Sequence, residues 1–225
     1  MAYEIEEHIH RFAAWAAGTA YQRGRKEKGI KGRDVELAQK ILSEHPIRHF
    51  ILSPNDLPQS QGEFDIEHRK WRYEVIQQAE KEFDSGFGHE EITKEDNKNE
   101  EKYTKEQIRE AIQNSKDQFT HGVVAKLINV YLKSIIICGG FYDHPYTEFI
   151  HPPIDRELLG KLKENFGSEN NFWQKDWKSG YWTWSNLNSF RYQQIINQIR
   201  LILGCSETLQ IKPLWKIEEY WQGHQ

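Results

Sequence analysis

Cysteine is scarce in this 225-residue chain; only Cys138 and Cys205 occur. Two thiols exclude a disulfide-stapled scaffold, a four-thiolate zinc site and a cysteine-held iron–sulfur cluster. Cys138 ends an apolar run and is expected as a buried thiol. Long apolar runs are also missing. No stretch of 18 apolar residues occurs, and the start, MAYEIEEHIH, carries acids where a signal peptide has its apolar core. Neither secretion nor a membrane span is expected, and the expected location is the cytoplasm. A strong positive balance is lacking too. Thirty Lys and Arg stand against 34 Asp and Glu, for a net charge of -4. A DNA site on such a body has to be a local basic patch.

Nucleotide and hydrolase signatures are absent as well: there is no P-loop, no GxSxG and no dinucleotide fingerprint. Ten histidines invite a metal reading, but their spacing does not favour one. His8 and His10 would point to different faces of a helix. His45 and His49 straddle Pro46, and His144 and His151 flank a loop. None has the spacing of a ligand set with nearby carboxylates, so no metal or other cofactor is expected.

What is present is helical patterning. The length suits one domain, or one fold of two packed lobes, with a real core. Mean hydropathy is low, at -0.83, so the core must lean on 11 Phe, 10 Tyr and 8 Trp. Residues 3–22 read as a helix, with Ile5, Ile9, Phe12, Ala13, Ala16 and Ala20 at helical spacing. RGRKEKGIKGR (23–33) reads as a basic, glycine-rich loop, and 34–43 as a short helix stopped by Pro46. In 64–83, Phe64, His68, Trp71 and Val75 form one stripe. Residues 84–103 read as a charged loop. TKEQ (104–107) is a capping box opening a helix to about residue 117. Further helices are expected over 121–138, 156–166, 187–203 and 213–221, with a short hairpin in the tryptophan-rich segment 173–184 as an option. The fold class is all-α.

The helix over 121–138, HGVVAKLINVYLKSIIIC, poses the functional question. It is apolar except for Lys126, Asn129 and Lys133, which share one stripe at i, i+3 and i+7. That stripe either faces water or faces a cleft. In a cleft, burial and the neighbouring Lys133 would favour the neutral amine that a lysine nucleophile needs. Downstream, HPPID places Asp155 at a helix start, where backbone N–H groups and the helix dipole hold a carboxylate ionised. Taken alone, Asp155 reads as a plain N-cap.

The series GVVAKLINVYLK, an aromatic-rich loop, HPPID and a late IKPLWKIEEYW resembles the helix-hairpin-helix DNA glycosylase superfamily. The closest branch is the archaeal 8-oxoguanine DNA glycosylase type, and the match is patchy over residues 104–221. The resemblance implies a two-lobed helical fold with a central cleft. The hairpin and catalytic lobe would span about 104–166. The N-terminal helices and those of 187–221 would form the other lobe. It implies Lys126 as Schiff-base nucleophile, Asp155 as the carboxylate beside it, and Lys133 and Trp215 in the base pocket. Asn129 and Gln22 are added to that pocket, and Gly122 with Arg23, Arg25, Lys26 and Lys28 to the phosphate contacts. The partner would be double-stranded DNA bound by a monomer, with removal of a damaged base, 8-oxoguanine among the candidates, and nicking by β-elimination. Two departures stand out. The usual LPGVG hairpin is replaced by FTHGVV, and the turn before the late Leu-Trp reads LQIKP, without the branch's acidic residue.

Two other classes compete. A metal-dependent nuclease or phosphohydrolase would use the His and Asp residues and would need a divalent ion. A non-catalytic helical module, for DNA or for a protein partner in phage defence, would form no covalent intermediate.

Overall fold

The computed structural model describes residues 5–22, 33–47, 58–85, 119–140, 143–168, 172–173, 183–204 and 212–220. The fold is all-α, and no strand occurs among the described residues. Six α-helices are described: α1 (Ile5–Gln22), α2 (Arg33–Glu44), α3 (Gln61–Asp84), α4 (His121–Lys133), α5 (Arg156–Phe166) and α6 (Ser189–Ile202). Short 3-10 turns lie at Pro145–Glu148, Trp184–Asn186 and Leu214–Tyr220. The basic loop, the helix expected over 104–117, most of the charged loop and most of the tryptophan-rich segment fall outside the described residues.

The starts of three helices are set by short polar side chains. Thr120 accepts from Val123 N–H at 3.3 Å, Asp155 from Leu158 N–H at 2.9 Å, and Asn188 from Arg191 N–H at 2.9 Å. Each satisfies one orphan donor of a first turn. α4 is the central helix: it packs against α1, α3 and α6. It is long and apolar enough, with the turn that follows, to cross a membrane by length and composition, yet nine of its residues are buried in protein.

Two apolar clusters meet along α4. The larger joins α1, α2, α3, most of α4, and Tyr146 and Ile150. The smaller joins Ala125 of α4, Ile154, α5, Trp173, α6, and Leu214 and Ile217. Through α6, Leu214 and Ile217 the C-terminal part shares a cluster with α5, while Trp215 packs against the larger cluster.

The stripe on α3 is buried throughout, from Phe64 through His68 and Trp71 to Val75. Two other expectations are corrected. Phe12 does not join the core and is 58% exposed, because α1 turns His10 inward, where Nδ1 meets the Tyr131 hydroxyl at 2.6 Å. The flanking Ala13, Ala14 and Ala17 let the neighbouring helices approach closely. Cys138 is exposed, not buried. Residues Ser134–Cys138 wind as a π-helical turn, which rotates the faces beyond Lys133 away from those of an ideal α-helix.

Candidate active site

Lys126 is not a solvated surface charge. Its side chain is only 13% exposed, and Nζ stands 3.4 Å from Asp155 Oδ2. The same Nζ lies 4.7 Å from the centre of the Trp184 ring. The ammonium is therefore covered by a carboxylate on one side and an indole face on the other. Asp155 divides its oxygens: Oδ1 caps α5, while Oδ2 faces the lysine.

Asn129, one turn beyond Lys126, fixes the strand of chain that delivers Asp155. Its Nδ2 donates to the Pro152 carbonyl at 2.9 Å and to the Tyr192 hydroxyl at 3.0 Å. Its Oδ1 accepts from His68 Nε2 at 2.8 Å. Asn129 is fully buried, so the structure places it behind the site and not on the wall of a base pocket. The Pro152 bond ties the segment that carries Asp155 to α4 directly, while the other two contacts join α4 to Tyr192 of α6 and His68 of α3.

Behind Asn129 lies a buried polar network. Arg72 donates to His68 Nδ1, which leaves the proton of His68 on Nε2 for Asn129. The Tyr192 hydroxyl donates to His151 Nδ1 at 3.0 Å, and His151 Nε2 donates to Asp65 Oδ1 at 3.0 Å. Gln193 and Arg200 also reach Asp65. Burial opposes the charge on Asp65, but the His151 bond, the charge of Arg200 and the Gln61 bond outweigh it, so this carboxyl is held below its ordinary range. Burial keeps His68 and His151 neutral, and Asp65 only partly offsets this for His151. Burial likewise raises Tyr192. With their ring nitrogens engaged, the histidines are structural. Among the described residues no three His, Cys, Asp or Glu side chains converge to hold a metal ion.

Lys133, two turns from Lys126, forms a close ion pair with Glu218. Its charge is thereby compensated within the protein, so it acts on Lys126 less than the bare sequence predicts. Burial raises Glu218, and the nearby Asp155 carboxylate adds to this, while Lys133 pulls the other way. Glu218 Oε1 is buried and has no hydrogen-bond partner among the described residues. The site thus pairs two amines with two carboxyl groups.

The remaining expected residues fall elsewhere. The Gly122 N–H donates to the Leu187 carbonyl at 3.1 Å, so it is not presented to a phosphate. Trp215 donates Nε1–H to the Thr147 carbonyl at 2.8 Å and packs against the larger cluster, with Lys216 Nζ 5.0 Å from its ring. Gln22 ends α1, and its side chain lies outside the described residues, as do Arg23, Arg25, Lys26 and Lys28. The structure therefore joins Lys126 to Asp155 and leaves Trp215 and Gly122 in structural bonds. It adds Glu218 and Trp184, which the sequence did not single out. Glu218 sits in an ordinary IEEY run, and Trp184 was one tryptophan among four.

Compared with known proteins, the chain matches no family model, no curated protein and no solved structure.

Proposed function

We propose that this chain is a base-excision DNA glycosylase with lyase activity, acting through Lys126 and Asp155. The observation that carries the reading is the sheltered Lys126–Asp155 pair at 3.4 Å, where the two apolar clusters meet. The resemblance of GVVAKLINVYLK and HPPID to helix-hairpin-helix glycosylases supports it, and with it the two-lobed arrangement around a cleft.

The chemistry follows from the pair. A salt-bridged ammonium has no lone pair, so it must first lose a proton to water. The neutral amine then attacks C1′ of an everted nucleotide, and the C1′–N bond breaks with its electrons going to the base, which takes up a proton as it leaves. The Asp155 carboxylate stabilises positive charge on the sugar before attack. The amine sheds a proton, the C1′–O4′ bond breaks with O4′ taking up a proton, and the protonated Schiff base remains. Loss of a C2′ proton with cleavage of the C3′–O bond nicks the strand. Asn129 acts by positioning, since it fixes the segment that carries Asp155.

The test is base release from duplexes carrying 8-oxoguanine, uracil and other damaged bases. Wild type is expected to release at least one of them, and folded Lys126→Gln to be slower by ~10²-fold or more. Equal rates would overturn the proposal. Loss of activity with a chelator, and not with Lys126→Gln, would favour the nuclease class.

A further inference from the structure

The tryptophan that the site offers to a planar ligand is Trp184, and this inference rests on the reading of Lys126 as nucleophile. Trp215 is placed elsewhere: its N–H is bonded to Thr147, and the cation over its ring is Lys216 rather than Lys126. Trp184 is only partly buried, touches both apolar clusters, and turns its ring face to Lys126 Nζ at 4.7 Å. An electrophilic carbon within ~3 Å of that nitrogen is beside the indole. A planar group borne on the carbon then falls in the range of aromatic ring pairs, with centroids ~4.5–7 Å apart. When Lys126 leaves its cation–π contact to attack, it vacates the ring face that such a group can occupy.

The position of Trp184 is built, not incidental. Its 3-10 turn is tied to the start of α4 by Thr120 Oγ1–H to the Ser185 carbonyl at 2.6 Å and by Gly122 N–H to the Leu187 carbonyl at 3.1 Å. A Cβ on Gly122 would stand 1.9 Å from the Trp184 carbonyl oxygen. Glycine at 122 therefore lets this turn lie directly on α4, which sets the indole over the lysine. We propose that Trp184 is the stacking wall of the site and that its ligand is a nucleobase attached to the carbon attacked by Lys126.

Two readouts test this, one dependent on chemistry and one not. Base release and borohydride trapping on a preformed abasic duplex are compared for wild type, Trp184→Leu, Trp184→Phe and Trp215→Leu. Trp184→Leu is expected to slow base release at least tenfold more than it slows trapping of the abasic duplex, because no base is present there to stack. Trp184→Phe should recover most of the base-release rate. Equal slowing of both reactions, or of neither, overturns the proposal. In the second readout, a duplex carrying 2-aminopurine is titrated with each protein. Stacking quenches this base, so the Trp184→Leu complex should be brighter than that of wild type, and equal brightness overturns the proposal. If wild type releases no base and traps no adduct, the Lys126 chemistry fails, and the 2-aminopurine signal still decides whether Trp184 stacks.

Discussion

Asp155 holds Lys126 with one carboxylate oxygen and the first turn of α5 with the other, at 3.4 and 2.9 Å. Its two roles can be separated. Asn caps a helix about as well as Asp. Asp155→Asn should therefore keep the cap, lose about 2 kcal/mol because the Lys126 charge is left unpaired, and lose ~10²-fold or more in base release. Asp155→Ala should lose the activity and a further ~1 kcal/mol of stability with the cap. Urea titration alongside single-turnover base release checks both.

The Lys133–Glu218 pair is largely withdrawn from water, with side-chain exposures of 28% and 12%. Removing one partner strands the other's charge. Lys133→Met and Glu218→Gln should each cost about 2 kcal/mol, a value reduced from that of fully buried pairs by the partial exposure of Lys133. The double variant should cost less than the two single losses added together. A double-mutant cycle from urea unfolding measures this coupling.

Asn129 offers the sharpest stability test. Truncation to Ala strands His68 Nε2–H, the Pro152 carbonyl and one bond of Tyr192 in a fully buried region. A loss of ~3 kcal/mol or more is expected. Activity should fall at temperatures where the variant is still folded, because the segment bearing Asp155 loses its tie to α4. Base release measured well below the unfolding midpoint separates this from simple unfolding.

Acid should weaken the fold before most carboxylates titrate. His45 is pushed down to about 4 by burial and by the charge of Lys70, and His121 to about 4 by burial and by the charge of Arg72. Below their ordinary value of 6.5, the unfolded chain takes up protons that the folded chain refuses. Their contribution is thus complete above pH 6.5 and is lost as pH falls from 6.5 through 4. Each tenfold difference in proton affinity is worth ~1.4 kcal/mol, so the two together should cost ~2 kcal/mol or more by pH 4.5. Asp65, held below its ordinary range, acts in the same direction, but only below pH 3.8. Unfolding free energy measured from pH 7.5 to 4.5 should fall steadily. A flat profile would contradict the neutral state of these histidines in the folded chain.

Part of this arrangement is legible in the sequence. The apolar spacing of Phe64, His68, Trp71 and Val75 gives α3 its buried face. Asp155 after two prolines announces the start of α5. A lysine in an otherwise apolar α4 marks the site, because an uncompensated charge inside such a helix demands a partner. Other features are not legible, since periodicity says nothing of contacts across the chain. Asn129 and Lys126 share a stripe, yet one is a buried tie and the other faces a carboxylate, and partners 61 and 63 residues distant decide this for Asn129. Phe12 reads as core because it is apolar, although His10 takes the inward position through Tyr131. The π-turn after Lys133 leaves no compositional mark, and it misleads the wheel at Cys138.

Gly122 is a further case of constraint without signal. Gly122→Ala places a methyl group against the Trp184 carbonyl, and backbone there has little room to yield. A loss of ~1–3 kcal/mol is expected, with slower base release as the indole shifts from Lys126. Thermal unfolding and single-turnover release check the two effects.

The most direct measurement is borohydride trapping on duplexes bearing damaged bases, followed by peptide mapping of any adduct. The account predicts a covalent protein–DNA adduct at Lys126 on a duplex whose base is still present at the start. That adduct should be absent from Lys126→Gln and strongly reduced in Asp155→Asn. An adduct that persists in Lys126→Gln, or no adduct on any duplex that wild type binds, would contradict the account.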